Sequence, residues 1–138
     1  MLSRFLAPHA ERAYALLRFV SGFSMAVHGA QKFGLLGPFP FPLPVFSQLW
    51  FGAWIEIVGG LLVMAGLLAV PAAFLVSGTM AVAYIQFHWK LQLGEALFPA
   101  KNGGEPALIF CLLFLYFACR GPGTPSVDAV ITRRRGAA

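Results

Sequence analysis

Four long apolar runs follow one another along the chain, and polar side chains interrupt each run at only a few positions. The runs cover residues 13–33, 49–70, 72–89 and 103–120. About 20 apolar residues in helical form cross the hydrocarbon core of a bilayer. Strands of a membrane barrel would alternate apolar and polar residues, whereas these runs are apolar in succession. The pattern therefore predicts four transmembrane α-helices.

The connecting segments differ in character. Prolines occupy every second position from Pro38 to Pro44, which prevents a helix and favours an extended segment along the membrane surface or over the end of the bundle. Pro71 marks a tight turn between the second and third runs, and the connector at 90–105 is long and polar. The predicted domains are an N-terminal segment at 1–12, a transmembrane domain at 13–120 and a basic tail at 121–138.

Composition and charge distribution support a membrane location and give it a direction. Hydrophobic residues make up 59% of the chain and charged residues 11%, whereas soluble domains are about one-quarter charged. Cytoplasmic segments carry an excess of Lys and Arg. One side of the bundle would hold Arg4, Arg12, Arg120, Arg133, Arg134 and Arg135, and the other Lys32, Lys90 and Lys101. Arg18, inside the first run, is expected to extend its side chain toward the terminal side. We therefore expect an all-α integral membrane protein, a four-transmembrane-helix antiparallel bundle with both termini cytoplasmic.

Several other classes of function are not expected. The net charge is +5, but no basic stripe with interleaved aromatic residues suggests a nucleic-acid partner. Cys111 and Cys119 are eight residues apart in one run, which is about 12 Å along a helix and too far for a disulfide. No Cys/His spacing typical of zinc occurs, so no metal site is predicted.

Polar residues of all four runs fall at one depth, near the side opposite the termini. His28, Gln31 and Lys32 end the first run, and Glu56 lies about 10 Å inside the second. Tyr84 and His88 end the third run, while Asn102 and Glu105 begin the fourth. Such convergence inside a membrane indicates a functional site.

We assign provisional roles within this cluster. Glu56 is the predicted proton-handling carboxyl, with His28 and Lys32 as its catalytic partners. The predicted cofactor-binding residues are His88, Tyr84, Gln31, Asn102 and Glu105.

Each residue also has a structural interpretation. Glu56 can form an ion pair that only supports helix packing. The histidines can lie at the membrane–water interface, and Lys32 can extend to water. Tyr84 suits an aromatic belt, and Asn102 to Glu105 resembles a helix capping box. Haem ligation by the two histidines is not expected.

Several motifs carry a family resemblance. The stretches V-H-G-A-Q-K-F-G, W-I-E-I-V-G-G-L-L-V-M-A-G-L, N-G-G-E and G-P-G-x-x-S-V-D occur in this order between residues 13 and 128. Together they resemble the DoxX family of small bacterial membrane proteins. The family pattern falls on His28, Gly29, Lys32, Glu56, Gly59, Gly60, Gly66, Gly103, Gly104, Glu105, Gly121, Gly123, Ser126 and Asp128. The resemblance implies a multi-pass protein of the bacterial inner membrane, linked in some members to quinone-coupled oxidation.

Three functions compete on this basis. The first is a quinone-interacting subunit of an oxidoreductase complex, with quinone as cofactor and a redox partner protein that supplies electrons. The second is a transporter for a small solute or protons, and the third is a scaffold or assembly factor without catalysis. Membrane lipid is an expected partner in each, and the glycine-rich helix faces leave homo-oligomers open.

Overall fold

A computed structural model describes residues 1–136, and within them the backbone forms helices and connecting segments with no β-strand. The predicted all-helical class is therefore confirmed for this part of the chain. The helices are α1 (Leu2–Leu6), α2 (Ala10–Lys32), α3 (Gln48–Ala65), α4 (Ala69–Ala83), α5 (Pro99–Asn102), α6 (Glu105–Arg120) and α7 (Val127–Arg135). A π-helical turn, Tyr84–Trp89, continues α4 and is called the π turn below. Single 3₁₀ turns cover Ala7–His9 and Gly94–Leu97.

The surface of the long helices is apolar. Two helical segments, Gln48–Ala65 and Ala69–Trp89, are long and apolar enough to cross a membrane. Large apolar side chains point outward from all four long helices, including Leu16, Phe74 and Leu112, which are 64%, 67% and 58% exposed. Extended apolar surface is unfavourable in water but suits contact with lipid tails. The architecture is that of a helical membrane protein.

Close packing between α2 and α3 depends on glycine. A Cβ atom built on Gly60 would lie 2.6 Å from the carbonyl oxygen of Gly22, and one on Gly29 would lie 2.6 Å from the carbonyl oxygen of Ala53. Gly59, on another side of α3, faces Val76 of α4. Without these glycines the backbones could not approach so closely, which is how small residues act in membrane helix interfaces. The core between the helices contains Met25, Val63, Val76, Phe114 and Phe117.

The turn between α3 and α4 lies earlier in the chain than the sequence pattern predicts, at residues 66–68 instead of around Pro71. α3 ends at Ala65 instead of residue 70, because Gly66 (φ 68°) and Leu68 (φ 48°) adopt left-handed conformations. α4 already begins at Ala69, so Pro71 lies in its first turn and not in the connector. Proline is tolerated there because the first-turn N–H groups have no partner within the helix.

Two charged side chains cap this turn. Arg18 donates to the carbonyls of Val63 (2.5 Å) and Met64 (2.8 Å) at the end of α3, and to that of Pro125 (2.7 Å). Asp128 accepts the N–H groups of Leu68 and Ala69, both at 3.0 Å. Arg18 extends toward the terminal side, as expected, but it is only 3% exposed and does not reach water. The free carbonyls of α3 offer it partners in the interior.

The predicted basic tail is consequently part of the bundle. Ser126 caps α7 by accepting the N–H of Ala129 at 3.2 Å, and the N–H of Asp128 donates to the Gly66 carbonyl at 2.9 Å. Tyr14 donates to the Gly121 carbonyl at 2.5 Å. Of the tail predicted at 121–138, residues 137 and 138 lie outside the described part.

The predicted capping box at the start of α6 does not form. Asn102 ends α5, and Gly103 (φ 71°) reverses the chain, so α6 begins at Glu105 with Gly104 as its N-cap. The Asn102 side chain instead accepts the N–H of Gly104 at 2.7 Å and donates to the Ala96 carbonyl at 2.8 Å. The left-handed glycine uncouples Asn102 from the helix that it was predicted to cap.

The α2–α3 contact can be tested with a pair of glycine substitutions. We expect Gly60→Ala to lower the free energy of unfolding by about 2 kcal/mol, because the added methyl group meets the α2 backbone and one helix must shift. Gly78→Ala is the control, since a Cβ there meets nothing within 4 Å and alanine favours the helix by up to about 1 kcal/mol. Titration of both variants with denaturing detergent measures the difference. Equal stability of the two would contradict the close contact.

Candidate functional site

The Glu56 carboxyl is buried where α2 and α3 meet. Glu56 is 1% exposed and forms an ion pair with Lys32, from the last turn of α2. Its Oε1 atom accepts from Lys32, while Oε2 has no hydrogen-bond partner among residues 1–136. A buried carboxylate oxygen without a partner is unfavourable and marks a point where a further donor or a proton is expected.

One cavity beside this ion pair contains two histidine side chains in its lining and is called the histidine cavity here. It has a volume of about 270 Å³ and receives side chains from all four long helical segments. Its lining residues are His28, Lys32, Glu56, Met80, Ala83, His88, Gly103, Pro106, Ala107 and Phe110. The structure thus brings together four of the residues that depth along the helices placed at one level: His28, Lys32, Glu56 and His88.

A second cavity lies on the other side of the same ion pair, between α3 and α4, and is called the apolar groove. Its volume is about 490 Å³. Lys32 and Glu56 line it together with Gln48, Leu49, Phe51, Gly52, Ile55, Phe74, Leu75, Gly78, Thr79, Val82, Ala83 and Phe87. Several of these side chains, such as Phe74 and Leu75, point outward, so the groove opens toward the lipid-facing surface. The ion pair therefore borders both the histidine cavity and the apolar groove.

The π turn and Gly104 place His88 at the histidine cavity. A Cβ on Gly104 would lie 2.6 Å from the His88 Cβ and 2.7 Å from Tyr84 Cδ2, so only glycine lets the start of α6 approach here. The π turn ends at Lys90, which has a φ of 54°. Single π-helical turns within α-helices are frequent at functional sites. His28 lies on the exposed side of the cavity, with its ring 5.8 Å from that of Phe110.

The remaining predicted site residues do not line either cavity. Gln31 and Glu105 are exposed, and the Asn102 side chain is bound to its own loop. Tyr84 lies beside the histidine cavity and stacks on Trp89 at a centroid distance of 6.3 Å. The cofactor-binding role assigned to these four stays a prediction, with no cavity contact to support it.

Sequence reasoning missed the apolar groove. Gln48 and Gln86 are joined by a hydrogen bond of 2.9 Å that ties α3 to the π turn, and neither residue was singled out. Apolar lining residues such as Phe51 and Phe87 look like any lipid-facing residue in the sequence. The sequence feature that could have indicated a groove is a glycine on the outer side of each of the two helices, Gly52 in α3 and Gly78 in α4. Within the described residues, no group of three or more His, Cys, Asp or Glu is placed to hold a metal ion.

Fold and site together define a small helical membrane protein with a buried ion pair between the histidine cavity and the apolar groove. The family model for DoxX matches residues 13–89, more than half of the chain. A protein of Haemophilus influenzae described as uncharacterized is 38% identical over 122 residues, which cover 83% of this chain and 87% of that protein. No solved structure matches. The chain belongs to the DoxX family, as its motifs predicted.

The ion pair can be tested by removing its charges singly and together. We expect Lys32→Met to lower the free energy of unfolding by about 3 kcal/mol, because it leaves the Glu56 carboxyl buried without a partner. The double variant Lys32→Met/Glu56→Gln should recover most of this loss. Unfolding in a denaturing-detergent titration measures both effects.

The exposed pair Lys101–Glu95 is the matched control for this experiment. Its side chains are 57% and 81% exposed, so Lys101→Met should cost less than about 1 kcal/mol. If Lys32→Met were no more harmful than Lys101→Met, the buried ion pair would not be a constraint on the bundle.

Proposed function

We propose that this protein is a quinone-interacting subunit of a redox complex in the bacterial inner membrane. It would span the membrane four times, with both termini in the cytoplasm. The observation that carries the proposal is the Lys32–Glu56 ion pair, which borders a lipid-facing apolar groove on one side and the histidine cavity on the other. A quinone site needs such a combination of apolar access and proton-carrying groups.

Contacts between the helix ends support the four-span topology. The end of α6 meets the start of α2, where Arg120 pairs with Glu11 and Tyr14 bonds to Gly121. Asp128 joins the same side to the start of α4. These contacts support an arrangement in which the start of α2, the α3–α4 turn and α7 lie on one side, as an antiparallel bundle requires. That side carries the arginine excess expected of a cytoplasmic face.

The apolar groove would hold the quinone ring. Its outward-facing aromatic and aliphatic side chains give lipid-soluble molecules access from the bilayer, and Gly52 and Gly78 leave space at its wall. At its inner end, the Lys32 ammonium can donate to a carbonyl oxygen, and the free Oε2 of Glu56 can accept or release a proton. The residues present fit the group that the family resemblance implies.

Glu56 would exchange protons with the histidine cavity. When bound, a quinone accepts two electrons and two protons and becomes a quinol; the electrons would come from a redox partner protein. Glu56 borders both cavities, so it can pass a proton to the groove and regain one from the His28 and His88 side. Lys32 would keep the carboxylate oriented through its contact with Oε1.

A membrane scaffold is the second candidate, because the same ion pair ties α2 to α3 and has a structural value of its own. For the transporter hypothesis, Arg18 does face the bundle interior, as a polar path would require. Arg18 was the polar residue that could have continued a path toward the terminal side, and its Nη atoms are engaged by the carbonyls of α3 and Pro125.

Topology can be tested by labelling single cysteines after Cys111 and Cys119 are replaced by alanine. We expect Leu93→Cys, in the connector after the π turn, to react with a membrane-impermeant maleimide in intact spheroplasts, because this segment faces outward. Leu2→Cys should react only after lysis. Labelling of Leu2→Cys in intact spheroplasts would contradict the proposed orientation, and equal labelling of both positions would contradict the three spans proposed between Leu2 and Leu93.

Quinone binding can be tested on protein purified in mild detergent with native lipids. We expect an oxidised-minus-reduced quinone spectrum that weakens at least about tenfold in Gly78→Leu, because a leucine there fills the groove and leaves the ion pair in place. Glu56→Gln should weaken it similarly. Glu95→Gln, at an exposed position outside both cavities, is the control and should keep the signal.

The outcomes separate the two candidates. A spectrum without quinone, before and after quinone is added to the wild-type protein, would contradict the redox proposal. If Glu56→Gln and Gly78→Leu also sustained the growth of cells that depend on the protein, the scaffold would be favoured. Unfolding measurements on each variant separate loss of binding from loss of structure.

A further inference from the structure

A third cavity lies at the opposite end of the bundle, on the side of the termini, and is called the terminal groove. Its volume is about 1060 Å³, the largest of the three cavities described here. The first half of α2, the end of α3 and residues 124–133 form its walls. It contains none of the residues of the Lys32–Glu56 site.

The charge of the terminal groove is positive. Arg12 and Arg133 line it, are both exposed, and have no carboxylate within 4.0 Å among residues 1–136. The one acidic residue in its wall, Glu11, is already paired with Arg120. The buried guanidinium of Arg18 adds a third positive charge to the lining. The terminal groove thus offers unpaired guanidinium groups that suit a phosphate group.

The other part of the lining is apolar and faces outward. Leu16, Phe19 and Val130 line the terminal groove and are 64%, 51% and 52% exposed. Leu16 and Phe19 lie about 6 Å and about 10 Å further along α2 than Arg12. If α2 crosses the bilayer as proposed above, this order leads from the headgroup level into the hydrocarbon. A ligand that matches both parts has an anionic head and an apolar chain.

Helix α7 holds the basic wall in place. Its N-terminal end is attached to the α3–α4 turn through Asp128, and Arg133 is five residues further along the same helix. Val127, Val130 and Ile131 form an apolar face on α7, and Arg133 to Arg135 follow them. Helices with an apolar face and a basic end lie at membrane interfaces with anionic lipids.

We infer that the terminal groove binds an anionic phospholipid of the surrounding leaflet. Arg12 and Arg133 hold the phosphate group from two sides, and an acyl chain lies along Leu16 and Phe19. The ligand joins α2 to α7, and so couples the tail to the transmembrane helices. This inference depends on α2 crossing the membrane, but it does not depend on quinone binding, because the two sites share no residue.

The test is lipid binding by the full-length protein, measured as retained lipid in native mass spectrometry and as thermal stabilisation in zwitterionic detergent. The probe is phosphatidylglycerol, with phosphatidylcholine and inorganic phosphate for comparison. We expect wild-type protein to retain and be stabilised by phosphatidylglycerol only. The double variant Arg12→Gln/Arg133→Gln should bind it at least about tenfold more weakly, given the contribution of each basic residue near a membrane surface.

The matched control removes two arginine charges that lie outside the terminal groove. Arg4→Gln/Arg135→Gln lies outside the terminal groove and should bind phosphatidylglycerol within about twofold of wild type. A loss as large as in the groove variant would overturn the inference in favour of non-specific attraction.

Two further outcomes would also overturn it. Equal stabilisation by inorganic phosphate would mean a free-anion site, and a lipid-independent dimer that the double variant abolishes would mean that a second copy fills the groove.

As a second check on the acyl contact, Phe19→Ser should weaken binding of long-chain phosphatidylglycerol but not of a dihexanoyl form. If both chain lengths responded alike, the chain would not occupy the groove.

Discussion

The burial of one carboxyl group between α2 and α3 is the constraint on which the rest of the bundle depends. Glu56 is 1% exposed, and an isolated charge in that position would be strongly unfavourable. Lys32 must therefore reach it from α2, and this requires the two helices to approach closely. Gly60 lies four residues after Glu56, and Gly29 lies three residues before Lys32. Each glycine is therefore on the same helix face as the charged residue of its own helix. The close backbone contact and the ion pair are two parts of one interface.

The general fold and half of the candidate site could be predicted from the sequence. Lipid requires long apolar helices, and a fixed rise per residue converts chain position into depth. Depth alone brought His28, Lys32, Glu56 and His88 to one level, and all four line the histidine cavity. The depth of a residue in the membrane does not, however, determine the direction in which its side chain points around the helix axis. Gln31 shares the level of its neighbour Lys32 but is turned by about 100° around the helix, and it is exposed.

The parts that could not be predicted depend on backbone conformations and on long-range pairing. Asn102 had the right spacing for a helix cap, but the left-handed Gly103 next to it separates it from α6. Asp128 binds the N–H of Leu68, 60 residues away in sequence. No local pattern predicts such a pairing, so residues 121–138 were predicted as a basic tail even though the family pattern falls on Asp128. The tail is packed into the bundle, although its composition resembles that of a linker.

Hydrogen bonding distinguishes the two buried charges of the bundle. Arg18 uses both of its Nη nitrogens on carbonyl groups that the end of α3 and Pro125 leave free. These bonds fix the guanidinium at the helix end, while its Nε is buried without a partner among residues 1–136. Glu56 has one oxygen on Lys32 and one without a partner, and cavities lie on both sides of it. Both charges keep one buried atom without a partner and line a cavity, but three backbone carbonyls hold Arg18, whereas one side chain holds Glu56. A carboxyl can also take up and release a proton, which a guanidinium cannot. The search for an activity of this protein therefore belongs at Glu56, and the role of Arg18 is to hold the helix ends that keep the Glu56 interface closed.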